Sequence, residues 1–129
     1  MEMIVRNPAE GVYPPSGSAY VHAVEVRDPS RFLYVSGTMG LDPDGTPADS
    51  VEEQLALIWA NLRAILAEAG MTVDNVVRVT SYLRDVAYTG ANAAARVEAL
   101  GGRPVPTTAI VVQTLDPAWL VELEIVAAA

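Results

Sequence analysis

The sequence predicts an α+β domain in which two helices pack on one face of a mixed β-sheet. Three observations carry this. One long stretch repeats its apolar residues at helical spacing, several short stretches alternate them, and the segments follow the order β-β-α-β-α-β-β. The 129 residues, 51% of them apolar, make one domain (1–129) with enough material for a real core.

The elements follow in order. Pro14 to Ser18 is a Pro/Ser/Gly-rich loop leading into a strand from Tyr20 to Val26. Asp28, Pro29 and Ser30 form a turn, and a second strand from Phe32 to Val35 ends at Ser36 and Gly37. Two strands joined by a short polar turn predict a hairpin. The DPDG run at 42–45 is a further turn. Ser50 is the N-cap of a helix, Glu53 completes a capping box, and Gly70 supplies the stop. Between them Val51, Leu55, Ile58, Leu62, Ile65 and Leu66 line one helical face. Val76 to Leu83 alternates as a strand, with Val77, Val79, Ser81 and Leu83 on one face and Arg78, Thr80 and Tyr82 on the other. An Ala-rich helix runs from about Thr89 to Leu100, stopped by Gly101 and Gly102. Strands from Thr107 to Leu115 and from Leu120 to Ala127 finish the chain.

The penultimate strand, TTAIVVQTL, is apolar on both faces: Ala109 and Val111 on one, Ile110 and Val112 on the other. Such a strand needs cover on both sides. Two helices cover only one face of a small sheet, so the other is expected to meet a second copy of the chain. The alternative is a central strand within a larger monomeric core.

Composition narrows the chemistry. There is no Cys and one His, which excludes thiol nucleophiles, disulfides and a multi-histidine zinc site from one chain. All eight basic residues are Arg, so lysine Schiff-base chemistry is absent. A net charge of -8 repels phosphate backbones and argues against nucleic acid. No Gly-rich phosphate loop is present. The apolar runs fall well below the ~18 to 20 residues of a membrane span. MEMIVRNPAEG lacks a basic segment followed by an apolar one, so a cytoplasmic protein is expected. Neither metal nor organic cofactor is expected, and what remains is carboxylate, hydroxyl, amide and water chemistry.

Two positions stand out on pattern alone. Glu122 interrupts LVELEIV, where Val121, Leu123 and Ile125 form the buried face, and Glu124 shares its side at i+2. A carboxylate facing a neighbouring subunit is costly unless paired or used; otherwise the two acids form a solvated strand face. His22 lies on the same strand face as Tyr20, where a single histidine is more often structural than catalytic.

VSGTMGLDPDG, Gln54 and Asn61 within the helix, AEAG at its end, VVRVTSYLRD, and VELEIVA near the C-terminus together resemble the RidA (YjgF) family, over about Asn7 to Ala127. The resemblance implies a fold like that of the small trimeric chorismate mutases: a homotrimer with a barrel-like core of sheets, helices outside, and a pocket at each subunit interface. Active members hydrolyse reactive imines and enamines such as 2-iminobutanoate to keto acids and ammonia, without metal or cofactor. By the same resemblance Tyr20 is the pocket tyrosine, Ser36 the pocket serine beside Gly37, and Asn92 the pocket asparagine. Glu122 is the glutamate that positions and activates water. Each has a plainer alternative: a half-buried strand-edge tyrosine, a serine bonding its local turn, and a surface asparagine on a weak helix.

One departure changes the expected substrate. The family's deaminases carry an arginine at the start of the penultimate strand, in runs such as RPARS or RPTRT, that grips the substrate carboxylate. This chain reads RPVPTTA. Aligning Arg-Pro puts Pro106 at that position, counting back from Glu122 puts Thr107 there, and Thr108 is not basic either. Losing one partner of such a pair costs about 2 to 5 kcal/mol, or about 30- to several-thousand-fold. Thr107 and Thr108 are the substrate-binding candidates that replace it, and Arg84 or Arg103 are the cations that could fill in from elsewhere.

Three functions follow, in this order. The chain hydrolyses or tautomerises an imine, enamine or similar small molecule lacking the usual carboxylate. It is a trimeric binding module, chaperone-like or regulatory, that has lost chemistry. Or it is an ordinary deaminase with a relocated arginine.

Overall fold

The longest apolar repeat of the sequence becomes α1, Val51–Glu68, in a computed structural model that describes residues 1–16 and 20–129. The Ser50 half of the capping box forms: its Oγ accepts from the Glu53 N–H at 3.1 Å. Glu52 and Glu53 occupy the first turn, where the helix dipole favours negative charge. At the other end Gly70 takes φ +67°, and the N–H groups of Gly70 and Met71 close on the carbonyls of Ala67 and Leu66, a glycine stop. The second predicted helix is α2, Thr89–Ala99, which ends at Gly101 and Gly102 with φ of +62° and +82°.

Eight strands form around these helices: β1 (Glu2–Val5), β2 (Tyr20–Val21), β3 (Val24–Arg27), β4 (Phe32–Tyr34), β5 (Thr38–Met39), β6 (Val76–Leu83), β7 (Val105–Val111) and β8 (Val121–Ala128). The main sheet runs β2-β7-β6-β8-β4, with β5 also on β8, and β1 pairs with β3 apart from it. β6 and β7 are parallel, whereas β8 is antiparallel to β6. The sheet is therefore mixed, as expected. Leu55, Ile58, Trp59, Leu62 and Leu66 of α1 share a core with Val79, Leu83, Val121, Leu123 and Ile125, and the end of α2 adds Ala99 and Leu100. Both helices thus lie on one face. Among the described residues no helix is long and apolar enough to cross a membrane.

The predicted strand from Tyr20 to Val26 and its hairpin with Phe32–Val35 do not form. The ladder breaks at His22, whose N–H goes to Asn7 Oδ1 at 2.8 Å, and β3 turns instead to β1, with Val26 opposite Met3. β4 pairs with β8, Leu33 opposite Ala127. Turn residues specify that the chain reverses, not which strand it meets next. On β8, Leu33 gains both a ladder and the edge of the core, which a local hairpin would not give it.

Alternation on β8 sets up everything that follows. Val121, Leu123, Ile125 and Ala127 are buried, while Glu122, Glu124 and Val126 stand half-buried on the opposite side. The register places Tyr82 beside Glu122 and Thr80 beside Glu124. This face, away from the helices, is the open face. β7 has the two-sided apolar pattern, yet Ile110 is 47% and Val111 55% exposed. β2 borders it only at Val105 and Pro106, so from Thr107 onward it is an uncovered edge. Among the described residues, nothing in this chain supplies the expected cover on both faces. β7 also stops at Val111, short of the predicted Leu115.

Candidate functional site

On the open face, a hollow of about 290 Å³ is lined by Gly37, Tyr82, Val112, Gln113, Thr114, Leu115, Glu122 and Glu124. Three elements converge there because β8 pairs with β6 on one side and with β5, directly after Gly37, on the other. An ideal Cβ on Gly37 would lie 2.0 Å from Glu122 Oε2, so a glycine is needed for the carboxylate to sit where it does. Among the described residues Glu122 has neither a hydrogen bond nor an ion pair. It is a half-buried carboxylate with its lone pairs available.

Its neighbour Glu124 is engaged. The Tyr82 hydroxyl donates to Glu124 Oε1 in a short hydrogen bond. That bond, then burial, then the charges of Glu124 and Glu122 push the Tyr82 hydroxyl above the usual phenol range, with Arg78 acting weakly against them. Tyr82 is accordingly a protonated donor at neutral pH. The hollow contains two carboxylates and no basic side chain among its lining residues. Sequence reasoning left Tyr82 out of the site. The signal was there: strand parity had put it opposite the buried face, and the same parity governs Glu122.

The other sequence candidates are distributed around this centre. Ser36 is exposed and lines an adjoining hollow of about 680 Å³ with Thr38, Asn61 and Ile65; Gly37 borders both. Thr108 lies on the open face opposite Thr80, while Thr107 opposes Val79 on the helix side, so neighbouring residues of one strand look to opposite faces. Asn92 is 2% exposed within α2, in the helix layer, with the sheet between it and Glu122. Tyr20 pairs with Val105, whereas the row through Glu122 and Tyr82 reaches β7 at Ile110. Five residues along the strands and three strands across separate them by roughly 20 Å. The Tyr20 hydroxyl accepts from the Ser16 N–H at 3.3 Å. His22 is held by the Tyr13 carbonyl, 2.6 Å from its Nε2, which suits a structural role. Of the residues expected in the pocket, one chain brings together Glu122 and Gly37, with Ser36 at the margin.

Three arginines bear on a replacement cation, and each is hydrogen-bonded elsewhere. Arg84 donates to the Thr114 carbonyl at 3.1 Å and to Thr114 Oγ1 at 2.8 Å, fastening the loop that follows β7. Arg103 donates to the carbonyls of Val73 and Val76 at 2.9 and 3.0 Å, at the far end of β6. Arg78, on the open face, donates to Thr108 Oγ1 at 3.2 Å. None lines the Glu122 hollow. No cluster of three or more metal-ligating side chains occurs among the described residues.

Comparison with known proteins bears on the family and the fold. The family model described as Endoribonuclease L-PSP matches residues 12–129. A RutC family protein of Pyrococcus abyssi is 30% identical over 84% of this chain and 84% of its own length. One of Aquifex aeolicus is 41% identical over 52% of each. The mouse 2-iminobutanoate/2-iminopropanoate deaminase is 36% identical over 67% of this chain and 64% of its own length. The matched region thus spans only about half the length of some curated relatives. The crystal structure of a Rid-family protein of unknown function from Yersinia pestis superimposes with a TM-score of 0.86 at 30% identity, covering 100% of both chains. With the two-helix mixed sheet and a family-model match over residues 12–129, the chain belongs to the Endoribonuclease L-PSP family, the RidA (YjgF) family that its sequence resembles.

Proposed function

We propose that this protein hydrolyses a protonated imine, or the enamine in equilibrium with it, that lacks the α-carboxylate of the usual 2-imino acids. The observation that carries the proposal is the Glu122 carboxylate, held against Gly37 in a hollow and free to accept a proton. A protonated imine is already electrophilic, so its hydrolysis needs a positioned water and a base. Glu122 takes a proton from water as the oxygen bonds to the imine carbon, and the C=N π pair moves to nitrogen. The proton then passes to that nitrogen. As the C–N bond breaks, the hydroxyl oxygen forms the carbonyl and gives its proton to Glu122. A carbonyl compound and ammonia leave, the last proton going with the ammonia as ammonium. The mouse relative is named for such a reaction on 2-imino acids.

The altered substrate follows from what the hollow lacks. Positions 106 to 108 carry no cation, and Arg84 and Arg103 are committed to backbone carbonyls. Two carboxylates and a net charge of -8 also disfavour RNA as a substrate, despite the family's descriptive name. The site is completed in a homotrimer: Tyr20 is remote from Glu122 within one chain, and β7 offers an uncovered apolar edge. We place the protein in the cytoplasm, although a yeast relative carries a mitochondrial name.

The test generates imines in situ, 2-iminobutanoate with an amino-acid oxidase and a carboxylate-free imine with an amine oxidase, and follows the release of ammonia. Acceleration of the second with little effect on the first is expected. A rate on 2-iminobutanoate equal to that of ordinary deaminases would overturn the altered substrate. No acceleration of either would favour the binding module.

A further inference from the structure

Within the site proposed above, and resting on that proposal, we infer that the hydrogen-bonded pair Tyr82–Glu124 is the recognition element, selecting a cationic imine through its N–H groups. Glu124 and Glu122 project from the same face of β8 two residues apart, about 7 Å along the strand. That spacing suits a substrate whose nitrogen meets one carboxylate while its carbon meets a water held by the other. The Tyr82 hydroxyl occupies Oε1 of Glu124, leaving Oε2 to accept from the substrate. Tyr82 therefore fixes one carboxylate in orientation, while Glu122 beside it has no bond among the described residues. The two acids differ in role because only one has a partner among the described residues.

Charge points the same way. Among the described residues the hollow is lined by two carboxylates and no cation. Arg84, bonded to Thr114 at its rim, and Arg78, bonded to Thr108, keep their charge but line no part of it. An anionic substrate would meet two carboxylates at short range, whereas a protonated imine is attracted by both. The class of reaction that supplies such a substrate is the two-electron oxidation of a primary amine at its α-carbon. That step yields an imine with no carboxylate, in contrast to amino-acid oxidation.

Tyr82 is a positioning residue in this scheme, and its test separates binding from turnover. The ¹⁵N-labelled full-length protein is titrated with butylammonium and, separately, with butanoate, following backbone resonances around residues 37, 82, 112–115 and 122–124. Butylammonium is expected to bind with at least about tenfold preference over butanoate. Glu124→Gln should remove the preference, and Tyr82→Phe should weaken butylammonium binding several-fold. For hydrolysis of a carboxylate-free imine, Tyr82→Phe should raise KM and leave kcat nearly unchanged. A purely structural tyrosine would instead lower thermal stability and leave the cation preference intact. Butanoate binding as tightly as butylammonium, or unaltered binding in Tyr82→Phe, overturns the inference even if imines are hydrolysed. Glu124-dependent cation binding without turnover of any imine upholds the inference and overturns the hydrolase proposal.

Discussion

The carboxylate of Glu122 occupies the space that a side chain on residue 37 would fill: an ideal Cβ there lies 2.0 Å from Oε2 and 2.8 Å from Cδ. Gly37→Ala must therefore displace the Glu122 head group. The displaced atoms end a flexible side chain, so stability should fall by less than about 1 kcal/mol. Misplacing a catalytic group by an ångström costs up to about 100-fold, and the rate on a carboxylate-free imine should drop by about 10- to 100-fold. Thermal melts with parallel kinetics check this; unchanged turnover would place the working position of Glu122 elsewhere.

Gln54 does for the scaffold what Gly37 does for the site. Its Nε2 donates to the carbonyls of Ala48 and Ala118 at 2.9 and 2.8 Å, and its Oε1 accepts from the Leu120 N–H at 2.9 Å. These bonds tie α1 to the loop before it and to the entry of β8. Gln54→Leu leaves three backbone groups without their partner in a site that is 2% exposed. Each unsatisfied buried group costs about 1 to 3 kcal/mol, and partial access of water brings the expected total to about 2 to 4 kcal/mol. Urea unfolding measures it, and a loss below about 1 kcal/mol would mean the loop re-satisfies itself.

Legibility in the sequence followed locality. α1 carries its own periodicity and stop signal, β6 its own alternation, and both form close to where the pattern predicts. β1 and β5 are short, with little alternation to display, and exist because β3 and β8 offer them edges. The hairpin failed for the same reason, since β4 found a distant partner. In the site, alternation gave the orientation of both Glu122 and Tyr82, but not that the register of β6 on β8 sets them side by side. The contact of Gly37 with Glu122 crosses from one strand to another 85 residues later (122 less 37), so only a resemblance could suggest it. Asn92 and Thr107 were matched by position in a motif, and position says nothing about which side of the sheet a residue occupies.

The uncovered edge of β7 predicts assembly. Ile110 and Val111 expose apolar surface on both faces of a strand with free backbone groups, a combination that monomers avoid. Light scattering should give about three times the 13.7 kDa chain mass. Ile110→Glu should shift the population toward monomer and abolish turnover along with it. A clean wild-type monomer at micromolar concentration would remove the interface pocket.

Glu122→Gln separates the chemical role of this residue from a structural one. The amide keeps the size of the side chain and its place against Gly37, while removing negative charge and basicity. A general base contributes about 10²- to 10⁴-fold, so kcat on a carboxylate-free imine should fall by about that range. Among the described residues the carboxylate has no ion pair to lose, and it stands beside Glu124 on the same strand face. Removing one of two like charges should leave stability unchanged or slightly raised. Glu124→Gln makes the control: by the roles assigned above it should raise KM, with a much smaller effect on kcat. The two variants, measured on one imine by initial rates and by light scattering, give a double readout. Loss of kcat in Glu122→Gln with an intact trimer assigns the base. Normal turnover with a dissociated trimer would make Glu122 an interface carboxylate and would place the catalytic base elsewhere.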